Sequence, residues 1–508
     1  MGILSFLQSR KVGIILSYVY FVINTIISVF ISSFVIRTVG QTDYGVYQTM
    51  SAFAGYLILL EFGTGTVMTR NISICKKGVE HREELQKNIS TIWSFTVVLS
   101  VVIALFSIVF YFSIGQIYSR SLNADQIAFG KQIFKYVAVA LVFNFLNHTL
   151  NGIVLGYEYY SFEKIISIIK ILIRTTLVVV MLTLRPNILT VVVIDAYISF
   201  FAFGITLLFC ALKIGVVPGV RHFSSSIFKA IVPLCLTMLL QTIATTVNGS
   251  VDKFLIGIML KPEDVTMYTI SMGLFSMFSS IATLPITLYM PKTAAVIRDG
   301  KTHKELETFL EEPCRLNMLI TGILAFGVIT VGQQFVQIIY GKEYKEAWIY
   351  AILVILPMFL AMSNAVIINV LDVLGKRHYK TFITFGTILI NLILTIIGLH
   401  YIGLVGAAAA TGFATLVDMM LVNALYTKKF KINAYRLFWI NARDILPAIL
   451  IATIICFPVR YILDNIYLQF FVGGFGFCVV FAFLFITFGT NDNEKQKMRR
   501  IKAKVLKK

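Results

Sequence analysis

The sequence predicts an all-α polytopic membrane protein with about fourteen transmembrane helices, arranged as two parallel six-helix lobes and a C-terminal helix pair. Three observations predict this class: the apolar composition, the number of long apolar segments, and an internal repeat that contains six of them. Of the 508 residues, 58% are hydrophobic and 14% are charged, whereas soluble domains average about 45 to 50% apolar and about 25% charged residues. The composition therefore excludes a soluble enzyme.

Each predicted span is an apolar segment bounded by charges, glycine or proline, because about twenty helical residues cross the hydrocarbon core. The thirteenth span departs most from this pattern, since Pro447 and Pro458 lie near its ends. The spans lie at 12–36, 44–66, 90–113, 135–156, 164–184, 189–212, 230–251, 265–290, 316–339, 347–371, 380–400, 404–426, 444–460 and 466–488.

The distribution of Lys and Arg predicts the topology. The chain has 44 Lys and Arg against 25 Asp and Glu, a net charge of +19. With these spans, 32 of the cations fall on the side that both termini share, ten fall on the opposite side, and Lys170 and Arg174 lie inside span 5. Because cationic loops stay in the cytoplasm, and one missing helix would destroy the asymmetry, we expect an even number of spans and cytoplasmic termini. The positive charge thus indicates topology and not nucleic-acid binding.

An internal repeat predicts the arrangement of the helices. Residues 35–47 align with 256–268 at an offset of 221, and residues 156–160 align with 375–379 at an offset of 219. Since the offset contains six spans, an even number, the two halves have the same orientation and enclose a central cleft. The predicted parts are an N-terminal lobe at 1–213, a second lobe at 214–430, helices 13 and 14 at 431–490, and a basic cytoplasmic tail at 491–508 that contacts lipid headgroups.

Four segments of the sequence form recognisable motifs. They are Val39-Gly-Gln-Thr-Asp43-Tyr-Gly-Val-Tyr47, Leu60-Glu-Phe-Gly63-Thr-Gly-Thr-Val-Met-Thr-Arg70, Asp252-Lys-Phe-Leu-Ile-Gly257, and Asn391-Leu-Ile-Leu-Thr through Tyr401-Ile-Gly403-Leu-Val-Gly406-Ala-Ala-Ala-Ala410-Thr. These segments resemble motifs of the polysaccharide biosynthesis flippases, which translocate lipid-linked oligosaccharides such as O-antigen repeat units. This family belongs to the multidrug/oligosaccharidyl-lipid/polysaccharide exporter superfamily, and the resemblance covers essentially the whole chain. One departure is Tyr401-Ile-Gly403, where the family usually has Tyr-Gly directly.

The resemblance implies a function and its setting. It implies that the protein flips an undecaprenyl-pyrophosphate-linked oligosaccharide from the inner to the outer leaflet of a bacterial cell membrane, by rocker-switch alternating access. The product would enter a capsule, O-antigen or other exopolysaccharide pathway, with membrane lipids, a polysaccharide polymerase and glycosyltransferases as partners. We expect no enzymatic activity, cofactor or metal. Two alternatives stay open: a multidrug/toxic-compound exporter of the same superfamily, and a membrane-embedded glycan polymerase or ligase, which usually needs a larger outer loop.

Charged residues inside spans 5 and 6 are the first candidates for a site. Lys170 and Arg174 are four residues apart and therefore share one helical face, and a cation at this depth costs from about 2.5 kcal/mol upward unless it faces a cavity or a partner. Asp195 in span 6 lies at a depth that Arg174 can reach. Two interpretations remain: a structural bridge between Arg174 and Asp195, with Lys170 reaching to the headgroups, or a basic cavity wall that receives the pyrophosphate.

Further polar residues follow helical spacing in spans 4 and 7. They predict either hydrogen bonds between helices or a wet cleft that binds sugar hydroxyls. Carboxylates in spans 6 and 12 are candidates for ion coupling or for structural hydrogen bonds. Cations at span ends are explained by snorkelling, yet they also suit a pyrophosphate at the cavity mouth. The candidates are Asn144, Asn147, His148 and Asn151 in span 4, Gln241, Thr245 and Asn248 in span 7, Asp195 and Asp418 for ion coupling, and Arg37 and Arg70 at span ends.

Overall fold

The computed structural model confirms the all-α class, since every regular element in the part of the chain that it describes is helical. It describes residues 10–75, 82–300, 302–491 and 494–495, and gives only the backbone at 10, 11, 14, 82, 240, 241 and 243–250. The chain forms two compact units, Met1–Thr266 and Met267–Lys508. Most of the predicted basic tail lies outside the described residues, and the predicted domain boundaries stay a prediction.

The first unit is a bundle of long helices, and its second membrane crossing is interrupted. A short 3-10 turn, Ile58–Glu61, separates α2 from α3, and a π turn, Cys210–Ile214, ends α7. The helices of this unit are α1 (Arg10–Val39), α2 (Gln41–Leu57), α3 (Thr64–Cys75), α4 (Arg82–Ile117), α5 (Ala124–Gly156), α6 (Tyr160–Leu184), α7 (Ile188–Phe209) and α8 (Ser225–Met259), and α9 (Pro262–Ala282) continues into the second unit.

The second unit also consists of long helices. Its tenth predicted span is bent, because a 3-10 turn, Ala365–Ile367, separates α12 from α13. The remaining helices are α10 (Leu284–Arg298), α11 (His303–Ile339), α12 (Ala347–Ser363), α13 (Ile368–Val373), α14 (His378–Ile402), α15 (Leu404–Phe430), α16 (Ala434–Cys456), α17 (Val459–Ile462) and α18 (Ile466–Leu484).

Every predicted span falls on one of these helices or on two consecutive ones. Among the described residues, twelve helical segments are long and apolar enough to cross a membrane, or thirteen if α12 and α13, bent by 51°, form one span. Predicted span 7 lies on α8, and Ser225–Leu239 is the apolar part of this helix among the residues whose side chains are described. The chain is therefore a polytopic membrane protein, and the count of fourteen stays a prediction.

The apolar pattern predicts that the thirteenth span begins near 444, but α16 begins at Ala434. Its first turns are charged, which is why hydropathy does not include them. They are nevertheless held in place by ion pairs with α11: Arg436 Nη1 donates to Glu307 Oε1 at 2.7 Å, and Asp444 Oδ2 accepts from Arg315 Nη1 at 3.0 Å. Helical structure thus extends well beyond the apolar segment.

Small residues bring α3 and α5 into close contact. A Cβ atom on Gly152 of α5 would overlap the carbonyl oxygen of Gly65 on α3, so glycine is required at this approach. The hydroxyls of Thr64 and Thr149 hydrogen-bond at 2.8 Å, and Thr69 donates to the carbonyl of Gly152 at 3.1 Å. Helices associate in lipid through such close packing and interhelical hydrogen bonds. The contact fixes α5 against the interrupted second span. Helix α5 carries the polar stripe of predicted span 4, which consists of Asn144, Asn147, His148 and Asn151.

The two segments that the repeat aligns meet where α2 and α9 begin. Thr42 donates to the carboxylate of Glu263, the position with which it aligns, and Gln41 Nε2 donates to the Glu263 carbonyl at 3.3 Å. A Cβ on Gly45 would overlap the carbonyl group of Pro262. Gly45 therefore permits α2 to pack directly on the backbone at the start of α9.

The contact at Gly45 predicts a loss of stability in Gly45→Ala. The added methyl meets backbone that cannot move aside, and overpacking of this kind costs about 1 to 3 kcal/mol. Gly204→Ala is the matched control, because a Cβ at this helical glycine meets nothing within 4 Å and alanine favours a helix by about 0.5 to 1 kcal/mol. Thermal unfolding of the purified variants in detergent measures the difference. Equal midpoints for the two variants would contradict the prediction.

Candidate functional site

A cavity of about 300 Å³ lies within the first unit, between α2, α5, α6 and α7. The charged residues that the sequence places inside spans 5 and 6 line this cavity, and so do three residues with hydroxyl groups. Its walls are formed by Tyr47, Ser51, Ala54, Val137, Ala140, Leu141, Asn144, Lys170, Arg174, Val192, Asp195, Ile198 and Ser199.

Arg174 and Asp195 form a bidentate ion pair across α6 and α7. Arg174 Nε donates to Asp195 Oδ1 at 2.6 Å, and Nη2 donates to Oδ2 at 2.9 Å. Their side chains are 30% and 24% exposed, respectively, so the pair faces the cavity without being immersed in solvent. Arg174 lies ten residues before the end of α6, a depth of roughly 15 Å along the helix axis. The structure thus brings together the two residues that the sequence proposes as partners.

Lys170, one turn from Arg174, has a different partner. Its Nζ donates to Asn144 Oδ1 on α5 at 3.0 Å. Because the amide is neutral, this hydrogen bond orients the ammonium group without neutralising it, and the ammonium also interacts electrostatically with Asp195. The cavity therefore combines a neutralised guanidinium with an ammonium group that has a neutral partner.

Three hydroxyl residues of the cavity are not among the predicted site residues. Tyr47 and Ser51 lie four residues apart on α2, and Ser199 lies four residues after Asp195 on α7. The Ser199 hydroxyl donates to the Asp195 carbonyl at 2.7 Å, so its oxygen remains as an acceptor. The four-residue spacing of polar groups within apolar spans is the signal that would have identified them.

The residues of the polar stripe on α5 lie in different environments. Asn144 lines the cavity, whereas Asn147 is 9% exposed and buried against neighbouring helices. Among the described residues, the side-chain oxygen of Asn147 has no hydrogen-bond partner. His148 and Asn151 do not line the cavity. The stripe as a whole therefore does not form one wall of this site, and the substrate-binding role of its members stays a prediction.

His148 contacts the interrupted second span. Its Nδ1 pairs with the carboxylate of Glu61, the last residue of the 3-10 turn. Phe62 follows with a left-handed backbone, φ 52°, and α3 begins at Thr64. Interrupted spans commonly mark ligand sites in transporters. Glu61 is not among the predicted site residues, although a lone carboxylate inside an apolar span is itself a signal of function.

Asp418 lies on α15 of the second unit, where two hydroxyl groups donate hydrogen bonds to its carboxylate. Its Oδ1 accepts hydrogen bonds from Thr384 at 3.1 Å and from Thr387 at 3.2 Å, both on α14. Lys380, one turn before Thr384, lies close enough to interact electrostatically with the carboxylate. The sequence alone indicates no cation near Asp418, because Lys380 stands at the predicted edge of its span. The ion-coupling role of Asp418 stays a prediction.

The remaining candidates do not line this cavity, or their side chains lie outside the described residues. The side chains of Gln241, Thr245 and Asn248 lie outside the described residues. Arg37 is in the last turn of α1, Arg70 is in α3, and both are exposed. Neither lines the cavity, and a role at its mouth stays a prediction.

The sequence is similar to a known protein family and to a described relative. Residues 34–349 match the family model described as "Polysaccharide biosynthesis protein". A putative O-antigen transporter of Shigella flexneri is 23% identical over 418 residues, which cover 80% of this chain and 95% of that protein.

Solved structures show the same architecture. The lipid II flippase MurJ, in an inward closed conformation, superimposes with a TM-score of 0.70 at 15% identity, covering 93% of this chain and 98% of MurJ. An inward-facing multidrug resistance MATE family transporter of the MOP superfamily gives a TM-score of 0.57 at 17% identity, covering 81% and 94% of the two chains. At these identities the similarity establishes the fold alone.

Proposed function

Because the chain belongs to the polysaccharide biosynthesis protein family, which confirms the resemblance of its motifs, we propose that it flips an undecaprenyl-pyrophosphate-linked oligosaccharide from the inner to the outer leaflet. The protein would lie in a bacterial cell membrane with both termini in the cytoplasm and serve the synthesis of a cell-surface polysaccharide. The Shigella relative, a putative O-antigen transporter, supports the same substrate class. Glycosyltransferases would supply the substrate and a polymerase would consume it.

The observation that carries this proposal is the Lys170 ammonium group, which faces the cavity and has a neutral hydrogen-bond partner, Asn144. Ionisable side chains that face a cavity inside a membrane protein mark paths for substrates or ions, and a positive side chain attracts an anion. Beside it, the Arg174 guanidinium has a planar fork that matches phosphate oxygens. The amide of Asn144 and the hydroxyls of Tyr47 and Ser51 suit the polar groups of a sugar.

Alternating access then requires that this site open to each leaflet in turn. In our proposal, the lobes at 1–213 and 214–430 rock against each other, and the lipid tail stays in the bilayer beside helices 13 and 14 at 431–490. Asp195 and Asp418 are the proposed coupling carboxylates. A net-positive cavity disfavours the cationic substrates of a multidrug exporter, since like charges repel in a site of low dielectric.

Lys170→Ala tests the proposal in proteoliposomes that contain a fluorescent undecaprenyl-pyrophosphate-linked sugar. Loss of one hydrogen-bonded charge, about 1.5 to 3 kcal/mol, corresponds to flipping slowed about tenfold or more. The control is Lys164→Ala on the same helix: Lys164 pairs with Glu163 at 2.9 Å and lies outside the cavity, so its rate should equal that of the wild type. Full activity of Lys170→Ala, or export of cationic dyes by the wild type without sugar-lipid flipping, would refute the proposed function.

A further inference from the structure

A second group of polar side chains lies beside the cavity, toward the turn that joins α5 to α6. His148 follows Asn144 by one turn on α5, and Glu163 precedes Lys170 by two turns on α6. Glu61 and Glu163 both interact electrostatically with His148, so the three side chains lie near one another. The polar surface that begins in the cavity therefore continues beyond it, along both helices.

The imidazole of His148 is held firmly on one side and open on the other. Its ring lies against Gly65 in the first turn of α3, where a Cβ atom would come within 2.6 Å of the ring nitrogen Nδ1. Nδ1 pairs with the carboxylate of Glu61, and the hydrogen bond between Thr64 and Thr149 joins α3 to α5 at this level. The His148 side chain is nevertheless 53% exposed. The interrupted second span thus supports an imidazole whose far edge is free for a ligand.

The atoms that remain available in this group are hydrogen-bond acceptors. Glu61 is 19% exposed, and its oxygen Oε2 has no hydrogen-bond partner among the described residues. A carboxylate accepts hydrogen bonds and donates none, and a neutral imidazole that donates from Nδ1 accepts at Nε2. Glu163 is already engaged, because Oε1 accepts from Ser167 at 3.3 Å and Oε2 lies 2.9 Å from the ammonium of Lys164. A ligand that fits Glu61 and His148 must therefore supply donors.

On the basis of the proposed function, we propose that Glu61 and His148 form a sugar subsite, which accepts hydrogen bonds from hydroxyl groups of the sugar attached to the pyrophosphate. Lys170 is level with Asn144, to which it donates, and His148 lies one turn further along α5, roughly 6 Å along the helix axis. A hexose linked to a phosphate at Lys170 therefore reaches His148. The cations of the cavity bind the phosphates, and the acceptors of the subsite bind the hydroxyl groups.

The position of the subsite agrees with the direction of transport in the proposed function. The predicted topology places the turn between α5 and α6 in the cytoplasm, so the sugar subsite lies on the cytoplasmic side of Lys170. A substrate that arrives from the inner leaflet carries its sugars on the cytoplasmic side of its phosphates. It can therefore occupy the cavity and the subsite together without turning over.

The test compares three short-chain prenyl pyrophosphate diesters by calorimetric titration of the full-length protein in detergent. The first carries a hexose, the second carries the same hexose with every hydroxyl O-methylated, and the third carries a methyl group in place of the sugar. All three have the same charge, and only the first has hydroxyl donors. We expect the wild type to bind the first about tenfold or more tightly than the other two, which is the effect of one hydrogen bond to a charged acceptor.

Glu61→Ala should lower the affinity for the hexose probe to that for the methylated probe and leave the affinity for the methylated probe unchanged. Glu83→Ala is the matched control, because Glu83 is 91% exposed and pairs with Lys87 at 3.8 Å on α4; it should keep the wild-type ratio of the two affinities. Lys170→Ala should weaken all three probes alike, since each of them carries the phosphates.

The outcomes separate this inference from the proposed function. Equal binding of all three probes to the wild type, or an unchanged ratio in Glu61→Ala, would overturn the sugar subsite while leaving the anion site intact. Absence of binding of every probe to the wild type would overturn the proposed function as well. Since the three probes are compared on the wild type, the inference remains testable even if Glu61→Ala does not fold.

Discussion

Arg174→Met is expected to abolish sugar-lipid flipping and to lower the stability of the protein, whereas Arg174→Met combined with Asp195→Leu is expected to restore stability but not flipping. Removing one partner of an enclosed ion pair leaves the other charge unpaired, at a cost of about 3 to 5 kcal/mol. Both side chains are partly exposed to the cavity, 30% and 24%, which places the expected cost at the lower end, about 3 kcal/mol. Removing both charges with apolar residues of similar volume eliminates that penalty.

The double variant tests the structural interpretation of the ion pair. If the pair only holds α6 against α7, the apolar replacement should recover transport together with stability. If Arg174 binds the pyrophosphate, the double variant should be as stable as the wild type yet flip no faster than liposomes without protein. Thermal unfolding in detergent and flipping in proteoliposomes, measured on the same preparations, give the answer. Recovery of transport in the double variant would assign Arg174 a structural role.

Much of the fold could be predicted from the sequence, because membrane spans are a property of local composition. Hydrocarbon demands about twenty apolar residues at each crossing, and every predicted span lies on a helix or on two consecutive helices. The partnership of Arg174 and Asp195 was also predictable, since depth along two adjacent helices follows from the rise per residue. Local pattern and simple helix geometry therefore suffice for the spans and for this ion pair.

Contacts between distant helices were not predictable in this way. Lys170 reaches Asn144, 26 residues away, because of how α5 and α6 are rotated about their axes, which hydropathy does not determine. The pairing of His148 with Glu61 depends on the interruption of the second span after Leu57. That span contains no proline, and the turn is apolar from Ile58 to Leu60, so hydropathy does not show the break.

The family motifs have a structural explanation at one position at least. The segment Asp43-Tyr-Gly-Val-Tyr47 contains Gly45, which packs on the backbone of Pro262, and Tyr47, which lines the cavity. One motif therefore contains a packing residue and a cavity residue two positions apart. A motif identifies a family but does not say which of its members contact a ligand. Only the three-dimensional surroundings make that distinction.

Arg315→Met is expected to be the most destabilising single charge removal in the second unit. The Arg315 side chain is 4% exposed and meets two carboxylates: Nε and Nη2 donate to Glu494 at 2.8 and 2.9 Å, and Nη1 donates to Asp444 at 3.0 Å. Nη2 also donates to the carbonyl of Gly489, and the guanidinium lies 5.7 Å from the centre of the Phe485 ring. One residue of α11 thus anchors α16 and the segment that follows α18.

Without the guanidinium, two carboxylates face each other beside a carbonyl group, and we expect a loss of about 3 to 5 kcal/mol. Arg377→Met is the matched control, since Arg377 is 53% exposed and pairs with Asp372 at 3.0 Å; an exposed pair contributes only about 0 to 1 kcal/mol. Adding Asp444→Asn and Glu494→Gln to Arg315→Met should recover most of the lost stability, because the repulsion disappears. Thermal unfolding midpoints measure all three variants. Equal midpoints for Arg315→Met and Arg377→Met would show that the enclosed charge cluster does not hold the C-terminal helices.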